Sequence, residues 1–118
     1  MIPRDVRASI AALALCHSLG RNVTSVYDYD KAEHLNISVS LDGKTISGVD
    51  ISRNAKLSGD LPDIYDHARK NYIHLGGERS PYTGYDHLSG THFIIEMRGE
   101  TAALYDHDTE SWSQFSLS

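Results

Sequence analysis

Five carboxylates recur in one short phrase along this chain: Tyr27-Asp28-Tyr29, Val49-Asp50-Ile51, Tyr65-Asp66-His67, Tyr85-Asp86-His87 and Tyr105-Asp106-His107. Carboxylates brought close together must be neutralised, protonated or tied up in hydrogen bonds, so the sharpest chemistry available to them is cation binding. Calcium takes about six to eight oxygens, and zinc prefers imidazole or thiolate. His67, His87 and His107 stand at equivalent places beside three of the aspartates, which makes a metal at this Asp/His rim the remote functional reading. Alternate strands of a sheet lie about 9–10 Å apart, however, too far for those three rings to share one ion unaided.

The structural reading of the same residues is stronger. An aspartate at a strand end accepts hydrogen bonds from backbone N–H groups two and three residues on and closes the turn. Val49-Asp50-Ile51 keeps the carboxylate while losing both aromatic neighbours, as a turn-closing residue would. A turn role is therefore assigned to Asp28, Asp50, Asp66, Asp86 and Asp106, and neither a metal nor another cofactor is expected.

The elements that position these residues follow from periodicity. The phrases begin at 27, 49, 65, 85 and 105, and each is followed by alternating apolar residues, such as Leu35, Ile37 and Val39 or Phe93, Ile95 and Met97. An internal period of this kind reports one supersecondary unit repeated several times. Short turn signals at Asp42-Gly43-Lys44, Leu61-Pro62-Asp63, Glu78 to Pro81 and Arg98-Gly99-Glu100 force antiparallel neighbours and leave no room for crossovers. Before the repeats, Val6, Ile10, Leu13 and His17 mark a helical stripe from about Pro3 to Leu19, ended by Gly20.

The expected fold is mainly β, in one domain spanning 1–118. An N-terminal helix (1–21) packs on a ten-stranded antiparallel meander of five hairpin repeats (22–118). Ten strands in one flat sheet would leave long edges and a bare apolar face, so the meander should close into a barrel, with a two-sheet sandwich as the alternative. Corresponding points of successive hairpins fall at one end of such a sheet. The five aspartates should then gather at one rim, pointing inward. Tyr27, Tyr65, Tyr85 and Tyr105 with His67, His87 and His107 should form a row on the outer face.

Composition narrows the function classes. A formal charge of −5, with Lys and Arg scattered, gives no basic surplus for nucleic acid or an anionic membrane. The single cysteine, Cys16, cannot form an internal disulfide, and the apolar run from Ser9 to Cys16 reads as helix rather than secretory signal, so a cytoplasmic location is expected. Inside that helix Cys16 reads as a small core residue rather than a nucleophile. No G-x-S-x-G elbow, phosphate loop, C-x-x-C or H-E-x-x-H motif is present, which argues against an enzyme. The leading expectation is a small non-catalytic domain acting through a protein–protein or self-association surface, because rows of exposed aromatics are what interfaces prefer. The alternative is a barrel holding a small apolar ligand against Leu35, Ile37, Val39, Ile73, Leu75, Phe93, Ile95, Phe115 and Leu117, provided the helix leaves the interior hollow.

Overall fold

A computed structural model describes all residues, 1–118. Helix α1 (Arg4–Leu19) precedes ten strands: β1 (Val23–Asp28), β2 (Glu33–Asp42), β3 (Thr45–Asp50), β4 (Ala55–Asp60), β5 (Asp63–Asp66), β6 (Asn71–Gly76), β7 (Tyr82–Asp86), β8 (Thr91–Arg98), β9 (Thr101–Asp106) and β10 (Ser111–Leu117). Every strand pairs antiparallel with its neighbour in sequence, and β1 pairs with β10, so the sheet is a closed barrel. The closing seam aligns Val26 with Leu117 and Asp28 with Phe115. Closure removes both edges that an open ten-stranded sheet would expose.

The helix does more than cover an end. A stripe on one face would predict a helix lying against the sheet, yet every residue from Val6 to Cys16 is buried. The helix therefore runs through the barrel lumen, with its N-terminal turns at the aspartate mouth and its last turn at the opposite mouth. Two physical facts make this arrangement favourable. About eight strands is the size at which inward side chains alone can fill a barrel, so ten leave space along the axis. Ala8, Ala11, Ala12 and Ala14 keep the helix slim enough to occupy that space. At about 1.5 Å per residue its length is ~24 Å, enough to reach from one mouth towards the other.

Pro3 precedes the first turn, and Gly20 ends the helix in the left-handed conformation, donating its N–H to the Cys16 carbonyl at 3.1 Å. The chain then reverses into β1. One continuous core of 26 buried residues joins Ile10, Leu13 and Leu15 of the helix to Ile37, Leu57, Ile64, Ile73, Phe93, Leu104 and Phe115 of the wall. The interior that an apolar ligand would require thus holds α1. No helix is long and apolar enough to cross a membrane.

Candidate functional site

The five aspartates end β1, β3, β5, β7 and β9, all at one mouth, and each is 0–1% exposed. Each is followed by a turn whose last residue is left-handed: Ala32, Asn54, Lys70, Gly90 and Glu110. The carboxylates close these turns. Asp28 Oδ1 accepts the N–H groups of Asp30 and Lys31 at 2.9 and 3.3 Å, Asp66 Oδ1 those of Ala68 and Arg69, and Asp106 Oδ1 those of Asp108 and Thr109. Asp50 accepts from the Arg53 N–H and Asp86 from the Ser89 N–H.

In four of the five, Asp28 excepted, the carboxylate also meets an arginine that the repeat phrase does not contain. Arg53 reaches back to Asp50 at 3.1 Å and across to Asp66 of the next hairpin at 2.9 Å. Arg69 grips Asp86 of the following hairpin with both Nη atoms, at 2.9 and 2.7 Å. Arg7, on the helix inside the barrel, donates to Asp106 at 2.8 Å, to Ser113 at 3.0 Å and to the Ile2 carbonyl at 2.8 Å. Ser9 donates to Asp50 at 2.5 Å. Burial by itself would raise the Asp86 carboxyl, but the Arg69 guanidinium and the Ser89 hydroxyl hold it below the ordinary carboxylate range. Burial opposes ionisation of Asp106 likewise, and the N–H groups of Ile2, Thr109 and Asp108 with the Arg7 charge bring it below that range.

This pairing decides what the mouth can do. Three guanidiniums and the backbone donors take up the carboxylate oxygens of Asp50, Asp66, Asp86 and Asp106, Asp28 meets only the backbone donors of its own turn, and the positive end of the helix dipole faces the same ring. His67, His87 and His107 lie on the opposite, outer surface of the wall. No group of three or more His, Cys, Asp or Glu side chains is placed to hold a metal ion.

The arginines were the part hidden from sequence reasoning. A signal existed for two of them: Arg53 and Arg69 each lie three residues after a repeat aspartate. Arg7 carries no such signal, because its partner is 99 positions away.

On the outer wall the tyrosines organise three-ring clusters. Tyr27 sits edge-on to Tyr29 and to His34, with centroids 5.0 and 4.9 Å apart. Tyr65 lies between His67 and Tyr72, Tyr85 between His87 and His92, and Tyr105 between His107 and Trp112. In each case one partner is two residues on and the other is the directly paired residue of the next strand. Val49, Ile51 and Lys56 take the corresponding places in the second repeat. The tyrosines themselves are half-buried, whereas His67, His87 and His107 are exposed.

No family model, curated protein or solved structure matches the chain.

The large apolar side chains that remain exposed are Met1, Tyr29, Val49, Ile51, Tyr72, Leu88 and Trp112. All of them lie at the aspartate mouth, in its turns or in the strand residues beside them. The other mouth is built from Gly43-Lys44, Leu61-Pro62, residues 77–81 and Gly99-Glu100, with Arg21 paired to Glu100 beside it. Cys16 is buried at that end of the helix, with Sγ 3.7 Å from the Val39 carbonyl and its thiol pushed up by burial. His17 Nδ1 and the Tyr82 hydroxyl share a hydrogen bond of 2.7 Å between helix and wall.

Proposed function

We propose that this protein is a non-catalytic module that works by protein contact at the aspartate mouth, with a second copy of the chain as the first occupant. The observation that carries this reading is the polarity of the barrel: every large exposed apolar side chain lies at one end. Scattered apolar residues are ordinary on a soluble surface, whereas their collection into one ring is what an association surface looks like. The rings are pre-positioned by cross-strand stacking, so little side-chain freedom is lost when they are covered. A twofold pairing would set identical rings face to face and cover both at once.

The test is sedimentation velocity over a concentration series. The expected result is a dimer or larger species whose share rises with concentration and falls in the triple variant Tyr29→Ser, Ile51→Ser, Tyr72→Ser. A strictly monomeric protein at high concentration would refute self-association.

A further inference from the structure

The outer face of β8, β9 and β10 carries a cleft of about 450 Å³, lined by Glu96, Arg98, Thr101, Ala103, Trp112 and Gln114. Its shape follows from the register. Glu96, Ala103 and Gln114 are directly paired across the three strands, and Arg98 pairs with Thr101. A methyl group at the centre of this grid, with longer side chains around it, leaves a depression floored by Ala103. Trp112 forms one wall, its indole tilted at 52° against Tyr105 on one side and 47% exposed.

The charged groups of the cleft are exposed and have no ion-pair partner within the protein. Glu96 and Arg98 stand two residues apart on the same strand face. One carboxylate and one guanidinium leave the site without net charge. What fits such a lining is a neutral molecule with a flat apolar face and several hydroxyls at its edge. The volume lies in the range of clefts that take small ligands.

We propose that this cleft binds a neutral saccharide, one sugar ring stacking its C–H face on Trp112 while Glu96, Arg98 and Gln114 hydrogen-bond its hydroxyls. Adjacent hydroxyls match the paired oxygens of a carboxylate and the forked donors of a guanidinium. The aromatic wall covers apolar sugar surface that water hydrates poorly. The site is separate from mouth-to-mouth association, although Trp112 adjoins both, because Glu96 and Gln114 lie away from the mouth.

Trp112 is the only tryptophan, so its fluorescence reports on the site directly. The probes are the hexaoses of the malto, cello, laminari, manno and chito series, titrated to about 10 mM. The expected result is a saturable change in emission with at least one of them, at a Kd of about 1 mM or tighter. Calorimetry should then show binding abolished by Trp112→Ala and weakened about tenfold by Gln114→Ala or Glu96→Ala, each loss being roughly one hydrogen bond. The exposed position of Gln114 keeps that variant folded if Trp112→Ala disturbs the wall. The mouth variants Ile51→Ser and Tyr72→Ser should leave the titration unchanged, which separates this site from self-association. No saturable response to any of the hexaoses, or undiminished binding in both Trp112→Ala and Gln114→Ala, would overturn the proposal.

Discussion

The Nη2 atom of Arg7 lies 2.8 Å from Oδ2 of Asp106, with the arginine side chain 5% and the aspartate side chain 0% exposed. This pair fastens the threaded helix to the barrel wall. Its charges have left water, so its value depends on completeness, and Ser113, the Ile2 carbonyl and three backbone N–H groups supply the remaining partners. Removing one member should be costly. Arg7→Met is expected to lower the unfolding free energy by about 3–5 kcal/mol, because it strands a buried carboxylate. In urea unfolding, adding Asp106→Asn to Arg7→Met should recover part of that loss. Strictly additive effects of the two changes would show that the pair does not couple helix to wall.

The left-handed turn residues give a second prediction. Ala32 has φ 52°, a conformation that costs an L-residue roughly 1–2 kcal/mol, while Gly90 holds the equivalent place at φ 69°. Ala32→Gly should stabilise the protein by about 0.5–1 kcal/mol after the larger entropy loss of glycine is allowed for. Gly90→Ala should destabilise it by a similar amount, since an added Cβ would meet only the Tyr85 hydroxyl at ordinary contact distance. Thermal unfolding of the two variants checks the signs, and the same sign for both would contradict this account.

Gly84 is required for a different reason. It lies opposite Phe93 on β8, and a methyl added there would overlap the Phe93 ring and the His74 carbonyl. The ring covers the bare backbone of the glycine, so the two form one packing unit in the wall. Gly84→Ala should cost about 1–3 kcal/mol by overpacking. Combining it with Phe93→Leu should cost less than the sum of the two single changes. Unaltered unfolding midpoints in Gly84→Ala would remove the argument.

Acid should loosen the mouth. Asp86 and Asp106 have folded pKa values below the unfolded one. The stability they contribute is therefore complete above the unfolded carboxylate value of about 3.9 and is lost as pH falls from there through their lowered folded values. Melting temperature should hold near neutrality and fall steeply below about pH 4, with a shallower fall in Asp86→Asn. A wild-type midpoint that stays flat down to about pH 2 would show that these carboxylates are not held ionised by their partners.

Local periodicity carried much of this architecture. The alternating runs after each phrase and the short turns dictate ten antiparallel strands in chain order, and the fixed place of the phrase in each hairpin brings Asp28, Asp50, Asp66, Asp86 and Asp106 to one mouth. Each of these features depends on hydrogen bonds and side-chain alternation within about twenty residues, a range over which sequence spacing and spatial spacing agree. The stripe of Val6, Ile10 and Leu13 showed that a helix needed an apolar partner, but not that Ala8, Ala11, Ala12 and Ala14 would be buried as well. That outcome required the barrel to close, β1 against β10, around a lumen too wide for its own side chains. The partnering of Arg7 with Asp106, 99 positions apart, was likewise settled only when the barrel closed around the helix. Contacts across nearly the whole chain leave no local pattern, because they depend on the finished geometry of the barrel and not on the preferences of neighbouring residues.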